Sequence, residues 1–326
     1  MPRLKALYLL SLATLLAPAL VLGQSANPAV PGTLNYVEGQ VSINGQVVNE
    51  LSSGLTQVHE GQVVATGNGR AEILLTPGVF LRLGDNSAVS MVSPDLVRTE
   101  VELLKGRADV EVDQLFKQND LLVKIHGDET HLLKTGLYAF NFESGTVRVF
   151  DGEASVLPAN GQQKAIVVKK GHELAITAEG KKPTDFDEKT SEDALYNWSS
   201  LRSEYLGEAN VQLASAYEGA PAFAPGWFWD AGLYGYTWLP GYGAFFNPFG
   251  YGFYSPYYLY GGGFVYGYGR GYGRGYGRDY GHGQTSFHGQ IAGGSHGSAF
   301  QGGEGGFHGS GGGGGFHGGG GGGGRR

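Results

Sequence analysis

The chain of 326 residues contains no cysteine. This absence excludes disulfide bonds, thiol nucleophiles and zinc sites built on cysteine. It also excludes a lipid anchor on a mature N-terminal cysteine. An exported protein of this composition has to be held together by packing alone.

Motifs of known catalytic or nucleotide-binding chemistry are also missing. We find no nucleophile elbow, HExxH zinc motif, EF-hand loop, Walker motif or dinucleotide fingerprint. His59-Glu60 and His172-Glu173 match the first two residues of the HExxH zinc-protease motif, but the second histidine is missing in both cases. We therefore predict a protein that is not an enzyme and has neither a cofactor nor a small-molecule substrate.

One long apolar run is present, and it lies at the start of the chain. Arg3 and Lys5 precede the apolar residues Ala6–Leu22, and small residues lead into Gln24. The run is short for a membrane span and Pro18 interrupts it. This pattern predicts a signal peptide over residues 1–23 and a secreted or periplasmic product without a membrane span once the signal is removed.

The next region is typical of an all-β domain. After a linker over residues 24–32, short alternating segments separated by turn residues fill residues 33–178. Asn44-Gly45 is the strongest hairpin signal in the chain. Gly67-Asn68-Gly69 predicts a turn between two strands, Gln62–Thr66 and Arg70–Thr76.

This region resembles the FecR domain family. The resemblance is carried, in one collinear order, by Val37–Gly45, Gly61–Glu72, Pro77–Ser87, Leu103–Ala108 and Val147–Ala154. It implies a β-roll or solenoid-like domain outside the cytoplasm that serves protein–protein signalling or assembly. Members that regulate sigma factors carry a cytoplasmic segment before a membrane span, whereas five residues precede the apolar run here. We therefore expect the fold, and not the sigma-factor mechanism, to carry over.

A helical connector is predicted after a charged linker over residues 179–189. Within residues 190–217, Leu195, Trp198, Leu201 and Tyr205 recur at steps of three and four residues, the spacing of one helix face. We expect Trp198 to pack this helix on the β domain.

An aromatic segment rich in proline and glycine follows over residues 218–260. Of the 40 Phe, Tyr and Trp residues, 20 lie between Phe223 and Tyr268. Trp227, Trp229 and Trp238 are candidate interaction residues. One interpretation is a packed cap of aromatic hairpins; the other is an exposed surface that stacks on a partner or on sugar rings.

The last segment, residues 261–326, holds 32 of the 59 glycines. This composition cannot offset the ordering entropy of so much glycine and predicts a disordered tail. Its Tyr-Gly-Arg repeats favour weak multivalent contacts through cation–π interactions. The candidate interaction residues are Tyr268, Arg270, Tyr272, Arg274, Tyr276 and Arg278.

These observations lead to three functional hypotheses. The first is an exported, non-enzymatic FecR-domain protein that binds an envelope or extracellular protein or polysaccharide surface, with the tail as a multivalent adhesive or assembly segment. The second is an envelope signalling module that senses a partner protein. The third is weak metal sequestration by the tail histidines, although no defined metal site is predicted. Export argues against nucleic acid as a partner.

Overall fold

The computed structural model describes residues 29–159, 164–176, 182–217 and 224–260. The described residues belong to one unit, Met1–Tyr272, and a second unit, Gly273–Arg326, lies outside them. The predicted signal peptide, most of the linker over residues 24–32 and the predicted disordered tail also lie outside the described residues.

A single 15-stranded mixed sheet forms the body. Its strands are β1 Leu34–Ile43, β2 Gln46–Val47, β3 Val63–Leu74, β4 Val79–Leu83, β5 Ala88–Pro94, β6 Arg98–Lys105, β7 Arg107–Val112, β8 Asp120–Ile125, β9 Asp128–Leu132, β10 Gly136–Asn141, β11 Thr146–Asp151, β12 Glu153–Leu157, β13 Ile166–Lys169, β14 His172–Ala175 and β15 Thr184–Asp185. The prediction of a mostly β body is confirmed.

The strand order shows that the sheet bends back on itself. It runs β13-β12-β9-β8-β6-β5-β3-β4-β7-β10-β11-β14-β15, with β1 attached to β3 and β2 to β1. Strands β6 and β8 run parallel, and the other neighbours in this order are antiparallel. Only Lys170 and Gly171 separate β13 from β14, although these strands lie towards opposite ends of the order. The two ends of the sheet therefore come close together.

The main core lies inside this bend. Because neighbouring side chains of a strand point to opposite faces, β4 directs Val79, Leu81 and Leu83 into the core and turns Phe80 and Arg82 the other way. All five side chains are buried. The outer face of β4 must therefore be covered by another part of the chain.

Two turn predictions have different outcomes. The predicted hairpin turn is present, because Asn44 and Gly45 both adopt positive φ between β1 and β2. The predicted break at Gly67-Asn68-Gly69 is wrong, since β3 runs unbroken through it. A Cβ on Gly69 would lie 2.4 Å from the carbonyl oxygen of Glu38, so this glycine permits β1 to approach closely.

Helix α2 and an aromatic cap cover the outer face of the sheet. A short helix α1, Glu188–Ser191, precedes α2, Ala194–Ala216, and Asp193 caps α2 by accepting hydrogen bonds from the N–H groups of Leu195 and Tyr196. The predicted helix over residues 190–217 is thus present from residue 194. No helix among the described residues is both long and apolar enough to cross a bilayer.

The cap, defined as residues 224–260, contains two hairpins and a short helix. The hairpins are β16 Gly226–Asp230 with β17 Gly235–Leu239, and β18 Ala244–Phe246 with β19 Gly252–Tyr254; the helix is α3 Pro256–Tyr260. A second core forms beneath it from Leu74, Phe80, Leu206, Tyr236, Trp238 and Phe253. The aromatic residues of this segment thus have a packing role.

Candidate functional site

A row of buried charges lies on the outer face of β3, β4 and β7. Arg82 on β4 is central: its Nε donates a 2.8 Å hydrogen bond to Oε2 of Glu72, and its Nη1 donates to Oε2 of Glu111. The register places Glu72 opposite Arg82 on β3, and all three side chains have no exposed surface. A guanidinium between two carboxylates satisfies charges that would otherwise be costly to bury.

Helix α2 closes over this row with three residues on one helix face. Nη2 of Arg202 donates to Oε1 of Glu72 at 2.9 Å, and the Arg202 guanidinium lies 4.0 Å from the ring centre of Tyr36. Ser199 Oγ donates to Oδ2 of Asp109 at 2.9 Å, and Ser203 Oγ donates to Oε2 of Glu111. Spacings of three and four residues place these donors side by side.

We call the six charged groups Glu72, Arg82, Asp109, Glu111, Asp113 and Arg202 the buried seam. Asparagine side chains connect it to the cap. Nδ2 of Asn35 donates to Glu72 and to the carbonyl of Tyr236, and Oδ1 of Asn35 accepts from the Tyr236 N–H. Nδ2 of Asn247 donates to Oε1 of Glu111 at 2.9 Å. The body, α2 and the cap thus share one hydrogen-bond network.

The carboxyl groups of the seam differ in protonation. Burial alone would raise the pKa of Glu72, but the charges of Arg202 and Arg82 outweigh it and lower the pKa to about 2. Burial, reinforced by the charge of Asp193, raises the pKa of Asp109 to about 7. Burial, with the charge of Glu111 next in size, holds the pKa of Asp113 well above its ordinary value. Near neutral pH, Glu72 is therefore ionised, whereas Asp109 still carries its proton in part of the molecules.

Perturbed carboxyl groups often mark catalytic sites, but here they lie inside an interface. Glu72 and Glu111 are fully buried, and their oxygens contact groups of the same chain. These contacts attach the helix and the cap to the sheet.

Two openings lie near the seam. A cavity of about 50 Å³ is lined by Asp109, Asp193, Arg107 and Arg148, among others. A groove of about 440 Å³ lies between α2 and the turn that joins β16 to β17. Its lining includes Tyr36, Arg202, Tyr205, Glu208, Gln212, Asp230 and Leu233. Within the described ranges no cluster of His, Asp and Glu side chains could hold a metal ion.

The three tryptophans predicted as interaction residues all lie in the cap. Trp238 is fully buried, with its ring 5.2 Å from that of Phe245. Trp227 and Trp229 are half-buried, and Trp227 makes an edge contact with Phe80. A folded cap therefore cannot present Trp238 to a partner, whereas the rings of Tyr234, Tyr242, Phe246 and Tyr257 in the same segment are exposed.

The other predicted interaction residues were Tyr268, Arg270, Tyr272, Arg274, Tyr276 and Arg278, and they lie outside the described residues. Trp198 was expected to pack α2 on the β domain. It is buried, and its Nε1 donates to Oε2 of Glu38 on β1 at 2.9 Å.

The buried seam was not predicted from the sequence. A signal was present: Glu72, Arg82 and Glu111 each occupy the polar position of an alternating strand. Such a pattern also describes strands with one face in water. Only the contacts made by α2, more than 90 residues away from Glu111, distinguish the two cases.

A strand edge without a described partner strand is a further feature. Strand β13 pairs with β12, and among the described residues no other strand pairs with it. Its sequence, Ile-Val-Val-Lys, is rich in β-branched residues, and Val167 is 44% exposed. Such an edge can accept a strand from another protein.

Comparison with known proteins finds a family match for part of the chain. The sequence model of the FecR family, described as FecR protein, matches residues 62–155, which span β3 to β12. The resemblance to the FecR family found in the sequence is confirmed by this match, which covers less than a third of the chain.

Two solved structures of a putative anti-sigma factor from Parabacteroides distasonis are also similar. Their identities are 13% and 12%, and both have a TM-score of 0.34. Each match covers 40% of this chain and 62% of that one, so less than two thirds of that protein is matched. No curated protein matches the chain.

Proposed function

We propose that this protein is a non-catalytic FecR-domain module of the cell envelope that senses or signals through binding of a partner protein. The FecR match over residues 62–155 is the observation that carries this proposal. The predicted signal peptide over residues 1–23 supports an exported product, secreted or periplasmic. The enclosed carboxylates of the seam support a binding role, because their charges serve internal contacts.

Binding by strand addition at β13 is the mode we propose. An added strand would hydrogen-bond to the backbone of Ile166–Lys169, and the side chain of Val167 would contact alternate residues of that strand. Lys164 and Lys169 are exposed beside this edge. They favour a partner strand that carries acidic residues.

Photo-crosslinking tests this mode. A benzoylphenylalanine introduced at Val167 is expected to crosslink a partner from the membrane fraction of the native cell. The same group at Val211, an exposed valine of α2 that is 40% accessible, is the matched control. The yield at position 167 should exceed that at position 211 and should fall when acidic side chains are exchanged for neutral ones in the crosslinked partner segment. Equal yields at the two positions would contradict strand addition at β13.

The tail extends the proposal to surface contacts. Two features of the tail support weak multivalent attachment to acidic surfaces. They are the repeated Tyr-Gly-Arg units and the net positive charge of residues 261–326, which contrasts with the acidic remainder of the chain.

Removal of residues 261–326 is expected to lower retention on cell-surface material by about tenfold or more, since many weak contacts are lost together. Retention is measured by co-sedimentation at low and high salt. A tail with its arginines replaced by lysine is the control, and unchanged retention after truncation would end the adhesive role.

A further inference from the structure

The buried seam is unbalanced in charge. It contains four carboxyl groups, on Glu72, Asp109, Glu111 and Asp113, and two guanidinium groups, on Arg82 and Arg202, and each side chain is at most 4% exposed. With every group ionised, the seam would carry an excess of two negative charges. An uncompensated buried charge is expensive, so protons have to supply the balance.

Hydrogen bonding indicates which carboxyl groups hold those protons. Glu72 accepts from Arg82 and Arg202, and Glu111 accepts from Arg82, so these two are matched to the cations. Asp109 accepts from the neutral hydroxyl of Ser199. No donor group among the described residues reaches either carboxyl oxygen of Asp113, and a hydrogen bond shared with the carboxyl group of Glu111 helps to raise its pKa. Asp109 and Asp113 are therefore the seam's proton carriers.

The groups that surround the two aspartates come from several elements. Asp109 faces Asp193, Tyr196 and Ser199 at the start of α2, Arg82 on β4, and Arg107 on its own strand, and the small cavity beside it also contacts Arg148 of β11. Asp113 faces Glu111 and Arg82. Among the described residues, Nη2 of Arg82 and Nε of Arg202 in the seam, and Nε1 of Trp227 and Trp238 in the cap, are also buried without a hydrogen-bond partner.

We propose that α2 and the cap are held on the sheet by a proton-dependent latch. When Asp109 and Asp113 carry protons, the seam is neutral and α2 stays closed over β4 and β7. When they lose their protons, the excess negative charge loosens α2 and the cap from the outer face, while the main core remains intact. The cavity beside Asp109 gives water a place next to this group.

The direction of the effect follows from the two states of Asp109. Its pKa is about 7 in the folded protein and near the ordinary 3.8 in the unfolded chain, so the folded state binds more protons between these values. The stability that the Asp109 proton contributes is fully present below pH 3.8 and is lost as pH rises through about 7. Glu72 has the opposite effect on stability. Because its pKa is lowered, the stability that it contributes is lost only as pH falls from 4.5 towards about 2.

Tryptophan fluorescence of the full chain tests the latch. All four tryptophans lie in α2 or the cap, at positions 198, 227, 229 and 238. Their emission is therefore expected to shift to longer wavelength between pH 6 and pH 8.5, while the far-UV circular dichroism of the sheet is unchanged. Amide exchange protection in α2, corrected for intrinsic rates, should fall by up to about tenfold per pH unit as pH rises to about 7, the pKa of Asp109, and then level off, and that of β10 should not change.

Two variants and a control separate the latch from general pH effects. Asp109→Asn and Asp113→Asn mimic the protonated groups and should each reduce the fluorescence shift, and the double variant should abolish it. Glu60→Gln changes an exposed carboxyl and should keep the wild-type profile. The proposed latch is wrong if the tryptophan emission and the α2 amide protection of the wild-type protein stay constant between pH 6 and pH 8.5. It is equally overturned if the double variant retains the full shift.

Discussion

Replacement of Arg82 by methionine is expected to lower the free energy of unfolding by about 3–5 kcal/mol, the usual loss when one partner of a buried ion pair is removed. Methionine fills much of the volume but leaves Glu111 without its guanidinium, and Glu72 keeps only Arg202. Urea denaturation of the full chain, followed by circular dichroism, measures this loss. The result would show that the seam, and not only the apolar core, holds the domain together.

Two comparisons identify the cause of that loss. Arg98→Met removes a guanidinium that is 55% exposed and pairs with Glu100, so it should cost less than about 1 kcal/mol. Glu111→Gln in the Arg82→Met background removes the stranded charge and should recover part of the stability. If Arg82→Met costs no more than Arg98→Met, the central role of Arg82 is refuted.

Local sequence patterns were sufficient to predict much of the sheet. In the sequence alone, alternation between turn residues indicates strands at Val79–Leu83, which has the same bounds as β4, and at Thr146–Phe150, which is one residue shorter than β11. These strands alternate regularly and end at glycine or proline turns, so nearby residues decide their limits. The turn predicted at Gly67-Asn68-Gly69 is wrong because the contact that selects glycine there comes from Glu38 of β1, about 30 residues away in sequence.

The pairing of elements that are distant in sequence could not be predicted, for a different reason. The parallel pairing of β6 with β8 and the meeting of Glu72 with Arg202 depend on which elements become neighbours, and a single sequence does not encode this in any local period. The aromatic content correctly predicted that this segment makes many contacts. It could not distinguish a surface from an interior, because the same rings serve both.

The cap has its own apolar core, and its central residue should dominate its stability. Trp238 lies on β17 with no exposed surface, and its ring is 5.5 Å from that of Phe253 and 5.2 Å from that of Phe245. Trp238→Ala would leave a large cavity between the hairpins and α2. We expect a loss of about 3–5 kcal/mol, concentrated in the cap.

Fluorescence of the three remaining tryptophans should then report unfolding of the cap at a lower urea concentration than circular dichroism reports for the sheet, because the main core does not include Trp238. Trp238→Phe is the informative companion: it keeps an aromatic ring and removes an Nε1–H that has no hydrogen-bond partner among the described residues. It should cost clearly less than the alanine variant. Tyr242→Ala, at a cap ring that is 69% exposed, should cost less than about 1 kcal/mol. Coincident transitions for Trp238→Ala would instead mean that cap and sheet unfold as one unit, coupled through the buried seam.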